Sequence, residues 1–278
     1  MPVALAILLA ALMHAGWNVL LKNASDGLLD TVGLAVAASL IAACLLPFVP
    51  LPASASWPWM IGTLSVHVAY FLLLAESYRR TDLSLAYPLM RGTAPLLVAA
   101  ASPILGEPAN AGLLLGVACV GTGILLPTAA GIWSGGVRGS ALLFALANSL
   151  VIALYTIFDG LGVRAAGNPL SYILWLFFLN AWAILAVVCW HRGRGVFGHL
   201  RRRWAHHLLG AAMSIGSYGI VLWAMTVAPL AAVAALRETS VVFAAIFGAA
   251  LLKESMGLYR ILGACAVGLG IIIVKVQP

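Results

Sequence analysis

Of the 278 residues only 8% are Asp, Glu, Lys or Arg, while 63% are hydrophobic and the mean hydropathy is +1.07. A typical soluble domain is about 25% charged, so this chain lacks the polar surface to coat a water-soluble globule. It reads as an integral membrane protein. Spanning helices of roughly 20 residues each fill the length with about ten spans and leave no room for a separate soluble domain.

Breaks at Pro, Gly, Asn and charged clusters predict spans near 3–21, 31–49, 57–77, 83–105, 110–127, 138–160, 169–190, 204–226, 231–252 and 258–275. In lipid only helices or closed barrels satisfy the backbone, and barrel strands are about half as long, so the expected fold is an all-α bundle. The first span has no basic stretch before it and carries His14, Trp17 and Asn18, which marks a retained helix rather than a cleaved signal. Their i, i+3, i+4 spacing puts the three on one face, and a lipid-facing surface would disfavour them. The third span offers His67 and Tyr70, and ends with Glu76. The fourth holds Tyr87 and, about eight residues in, Arg91. The sixth aligns Asn148, Tyr155 and Asp159 along one stripe; the eighth adds Ser214, Ser217 and Tyr218. The ninth carries Arg237 about seven residues in, followed by Glu238. Trp57, Trp59, Trp133, Trp190 and Trp204 fall at span ends and read as interfacial anchors.

The connections after odd-numbered spans contain 11 Lys or Arg residues and the other side two, Arg164 and Lys275. The positive-inside rule then places the odd connections in the cytoplasm and both termini outside. The formal charge of +7 is thereby a topological signal rather than a sign of nucleic-acid binding. Cys44, Cys119, Cys189 and Cys265 stand singly in apolar runs, which suggests neither a disulfide framework nor a metal site. No cofactor is implied: there is no P-loop for direct ATP coupling, and no G-x-S-x-G or H-E-x-x-H signature of an intramembrane enzyme.

The most specific signal is internal duplication. Gly116, Gly121 and Gly123 recur as Gly263, Gly268 and Gly270 at an offset of 147, Gly106-Glu107 as Lys253-Glu254 at the same offset, and Arg91-Gly-Thr93 as Arg237-Glu-Thr239 at 146. Each copy, 1–135 and 136–278, contains five spans, and an odd number forces the second copy to enter the membrane from the opposite side. Inverted repeats of this kind characterise secondary transporters, with the substrate at the repeat interface near the midplane.

With the Ala86-Tyr87-Pro88 run, the Gly-Glu or Lys-Glu step before the last span of each half, and the glycine-patterned final spans, the chain resembles the drug/metabolite transporter superfamily, specifically its EamA-type members. The resemblance covers essentially the whole chain. It implies ten helices as two inverted five-helix repeats around a central cavity lined mainly by helices 1, 3, 4, 6, 8 and 9. It also implies a multi-pass protein of a bacterial inner membrane that exports amino acids or related metabolites. Members are usually described with cytoplasmic termini, whereas the charge count here points outward.

Ionisable groups at membrane depth cost a few kcal/mol and mark pathways by default. Arg91 and Arg237 are expected to bracket the midplane from opposite sides, either as a bidentate fork for a carboxylate or phosphate or as structural or gate pairs, Arg91 with Glu76. Glu238, turned about 100° from Arg237 in a continuous helix, needs another partner or a proton and leads the proton-coupling or gate candidates, with Glu76 and Asp159. Glu107 and Glu254 are expected to stabilise the positive starts of the helices that follow them. His14, Trp17, Asn18, His67, Tyr70, Tyr87, Asn148, Tyr155 and Tyr218 complete the candidate substrate surface, which suits a small, polar, amino-acid-like or carboxylated solute. A cationic drug or quaternary amine stacked on the aromatic rings is the alternative. An intramembrane enzyme is a remote third. Expected partners are the small solute, protons and the lipid bilayer, with monomer and oligomer both open.

Overall fold

The computed structural model describes residues 2–22, 26–80, 83–133, 139–193, 195–244, 246 and 258–276, and these are helical apart from turns and short connections, without strands. In chain order the helices are α1 (Pro2–Lys22), α2 (Gly27–Leu45), α3 (Trp57–Arg80), α4 (Leu83–Ala101), α5 (Ala111–Trp133), α6 (Gly139–Ala165), α7 (Pro169–Arg192), α8 (Gly195–Arg202), α9 (Trp204–Met225), α10 (Leu230–Arg237) and α11 (Leu258–Val276). Six of the described helices, α1, α2, α5, α6, α7 and α9, are long and apolar enough to cross a membrane. The outer surface is correspondingly apolar, with Leu5, Leu40, Ile61, Leu115, Leu143 and Leu269 exposed.

Several boundaries differ from the expected spans for local reasons. α2 begins at Gly27 rather than 31 because the Asp26 side chain accepts the Leu29 N–H as an N-cap, which draws Asp30 into the first turn. α4 stops at Ala101 instead of 105; Pro103 and Gly106, whose φ is +67°, turn the chain away. Asn110 then caps α5 through its Oδ1, which accepts the Leu113 N–H at 2.8 Å. Between α7 and α9, where a bare connection was expected, α8 forms and buries Val196 against Val32, Ile184 and Val188. The expected continuous ninth helix is broken: Glu238 and Thr239 form a turn, and their N–H groups bond the carbonyls of Ala235 and Leu236, three residues back.

Close helix crossings define the packing. α5 lies on α11, where a Cβ at Gly116 would fall 3.0 Å from the Gly270 carbonyl oxygen and one at Gly123 would fall 2.7 Å from that of Gly263. Ascending numbers on one helix meet descending numbers on the other, so the pair is antiparallel. α1 crosses α9 in the same sense, Gly16 facing Met213 and Gly216 facing Met13. α3 packs on α6 through Gly62 against Phe158, α2 packs on α7, and α4 lies against both α5 and α6. Trp190 and Trp204 are exposed at helix ends, as expected of anchors, whereas Trp57 and Trp59 are partly buried against Trp175 and Phe158. The Trp133 side chain lies outside the described residues.

Candidate functional site

The charges of the bundle centre converge on Glu238, which is fully buried. Its Oε2 stands 2.8 Å from Arg91 Nε, and its Oε1 accepts the Arg237 Nε–H at 3.4 Å. The expectation that Glu238 and Arg237 point apart fails at the side-chain tips: the backbone after Arg237 tightens into i→i+3 bonds, and the long Arg237 side chain still reaches Glu238 Oε1. Arg91 pairs with Glu238, where Glu76 was the expected partner; the side chain of Glu76 lies outside the described residues. The cluster of two guanidinium groups and one carboxylate keeps a net positive charge. It is also under-bonded: among the described residues, Arg91 Nη2, Thr239 Oγ1 and Ser240 Oγ are buried without a hydrogen-bond partner. Buried polar groups are normally satisfied, so unused donors and acceptors at a broken helix are what a polar solute would engage.

Aromatic side chains surround this centre. The Arg91 guanidinium lies 6.0 Å from the ring centre of Tyr87. His67 stacks on Tyr155 at 4.7 Å, and Tyr70 meets Tyr155 edge-on at 6.0 Å. The His67 ring is oriented by its own helix, Nδ1–H donating to the Thr63 carbonyl at 2.8 Å. On α1, His14 meets Trp17 edge-on at 5.0 Å and lies in the electrostatic field of both Arg91 and Arg237. Trp17 Nε1 is buried and has no hydrogen-bond partner among the described residues. Asn18 instead spends its amide on its own helix, donating to the His14 carbonyl at 2.7 Å. Asn148 reaches Met90 Sδ at 2.9 Å and leaves its Oδ1 unbonded. The Asn148, Tyr155 and Asp159 stripe is buried throughout. Asp159 accepts hydrogen bonds from the hydroxyls of Tyr172, at 3.1 Å, and Tyr218.

Two further polar clusters were missed in the sequence. At one end Glu107 does not cap α5. The turn after α4 carries it to α10, where its Oε2 accepts the Leu230 N–H at 3.1 Å while Oε1 pairs with Arg164. Arg164 also donates to the carbonyls of Met225, at 2.6 Å, and Ala228, at 3.0 Å. At the opposite end of α9, Asp30 binds His199 at 2.9 Å, His207 at 2.7 Å and Arg203 at 2.9 Å. Asp30, His199 and His207 bring three metal-ligand atoms within 4.8 Å of one another. The Arg203 guanidinium already supplies the counter-charge on that carboxylate, and the group reads as a tie between α2, α8 and α9. A small open cavity beside it is lined by Leu20, Leu34, His206 and Gly210. Only a signal longer in range than spacing, the loop geometry itself, could have revealed either cluster. Glu254 lies outside the described residues.

Residues 139–276 match the model of the EamA-like transporter family. No curated protein matches the sequence. A solved structure described as "Crystal structure of protein" superposes over 99% of this chain and 99% of its own, with a TM-score of 0.75 at 16% identity, a likeness of fold alone. The segment that carries Asp159, Tyr218, Arg237 and Glu238 is thus that of an EamA-like transporter.

Proposed function

We propose that this membrane protein is a secondary transporter that exports a small carboxylated, amino-acid-like solute by alternating access, with the substrate carboxylate displacing Glu238 from Arg91. The observation that carries the reading is the buried, net-positive Arg91–Glu238–Arg237 cluster with unused donors. A carboxylate entering there neutralises the excess charge and fits the guanidinium fork, and a cationic solute would meet repulsion. The ring of Tyr87, His67, Tyr155 and Tyr70 suits the apolar part of such a solute.

The architecture proposed is two copies, 1–135 and 136–278, inverted in the membrane. It is supported by the antiparallel α5–α11 contact, in which Gly116 meets Gly270 and Gly123 meets Gly263, so that equivalent repeat positions exchange roles across the pair. That is the signature of a self-complementary two-fold contact. The α3–α6 and α1–α9 pairings likewise interchange under exchange of the copies. The helix break at Glu238 is of the type that lines solute sites in transporters. The 11-to-2 imbalance of basic residues supports outward termini.

In proteoliposomes loaded with radiolabelled L-amino acids, wild-type protein is expected to release label, and Arg91→Ala and Arg237→Ala to lose that release. Arg91→Lys, which keeps the charge but not the fork, falls between. Full transport by both alanine variants overturns the carboxylate reading, and inhibition by quaternary ammonium compounds would favour a cationic substrate.

A further inference from the structure

Five carboxylates have described side chains, and four of them sit against an arginine: Asp26 with Arg192, Asp30 with Arg203, Glu107 with Arg164, and Glu238 with Arg91 and Arg237. Asp159 is the exception. It is fully buried in α6, and its hydrogen-bond partners include two tyrosine hydroxyls, Tyr172 on α7 and Tyr218 on α9. From α3 it is faced by Thr63 and His67, and His67 has committed its Nδ1–H to the Thr63 carbonyl. Glu238 is held between two guanidinium groups, so among the described residues the buried carboxyl without a guanidinium partner is Asp159.

We propose that Asp159, rather than Glu238, takes up the proton exchanged for substrate; this rests on the transporter reading above. The step is a simple one. A proton from bulk water adds to one Asp159 carboxylate oxygen, forming an O–H bond and cancelling the charge. That oxygen turns from acceptor to donor, so the tyrosine hydroxyl bonded to it must turn its own hydrogen elsewhere and accept instead. The clamp joining α6 to α7 and α9 thereby exchanges a charge-assisted hydrogen bond for a weaker neutral one of reversed direction. Tyr218 also packs on the buried set of Leu89, Met90 and Tyr155, next to Arg91 in sequence and to His67 in space, which gives the proton site a packed route to the arginines. Loss of the proton restores the anion and the clamp.

The test uses proteoliposomes and radiolabelled L-amino acids under two regimes. Asp159→Asn, close in shape but unable to gain or lose a proton in this range, is expected to lose accumulation driven by an imposed pH gradient while still exchanging labelled for unlabelled substrate without one. Gradient-driven accumulation at the wild-type level overturns the assignment. Absence of exchange in wild-type protein sinks the transporter reading instead. Should Asp159→Asn fail to fold, Tyr218→Phe decides. Removing a donor to the carboxylate shifts the carboxyl infrared band of the reconstituted protein to titrate at higher pH; an unchanged titration overturns the proposal.

Discussion

With Glu238 between two guanidinium groups, replacing its carboxylate by the amide of glutamine leaves both arginines buried without a counter-charge. Removing one partner of a buried pair costs on the order of 3–5 kcal/mol, so Glu238→Gln is expected to lower the melting temperature of ligand-free protein well below wild type. The same change removes the competitor for Arg91, so a carboxylated ligand that binds the variant should raise its melting temperature more than it raises that of wild type. A variant as stable as wild type, with equal ligand shifts, would refute the central role given to Glu238. The arginines themselves were legible in the sequence because charge is so scarce there. Their mutual partner was not, since helical geometry separates Arg237 from Glu238 at the backbone and the contact is made by the reach of the arginine side chain. Asn18 shows the opposite failure: its spacing with His14 is right, yet its amide is consumed by the backbone four residues earlier.

Among the elements, the antiparallel α5–α11 pair relies on glycines that hydropathy treats as interchangeable with alanine. A methyl group at Gly123 would meet the backbone carbonyl of Gly263 at 2.7 Å and the Val267 nitrogen at 2.9 Å, neither of which can move without its helix. Gly123→Ala is therefore expected to cost about 1–3 kcal/mol. Gly268 belongs to the same repeat motif but has no described atom within 4 Å of an added Cβ, so Gly268→Ala should stay within about 0.5 kcal/mol of wild type. Thermal unfolding of the two in the same detergent checks the contrast, and equal losses would contradict the assigned packing. The existence of the long apolar helices was readable from apolar runs, but α8 and the end of α10 at Arg237 were not. Element ends were not, because Asp26, Asn110 and the Gly106 turn act through single hydrogen bonds and dihedral angles that leave hydropathy unchanged.

For the whole molecule, the two polar clusters lie at opposite ends of α9, roughly 27 Å apart at 1.5 Å per residue from His207 to Met225. The Glu107–Arg164 cluster binds the first half of the chain to the α6, α9 and α10 ends of the second, closing that face. If this face must open during each cycle, joining its halves stops transport. After replacement of the native cysteines, a Glu107→Cys, Arg164→Cys pair bridged by a short bifunctional thiol reagent is expected to abolish amino-acid exchange, and a reducible reagent should allow recovery on reduction. Undiminished exchange in the bridged protein would mean that the cluster is a fixed structural tie. The proposed duplication implies two such faces; the bonds at the Glu107–Arg164 end join residues 57 and 123 positions apart, beyond the reach of any local pattern.

The α5–α11 crossing also sets a timetable for biogenesis. The glycine face of α5 finds its partner only when residues about 147 positions later have been made. At ribosomal rates of 5–20 residues per second that is roughly 7–30 s. For that interval a groove of bare backbone carbonyls on α5 is covered by lipid or by the insertion machinery, and completion of the last helix is the event that closes the first half as well as the second.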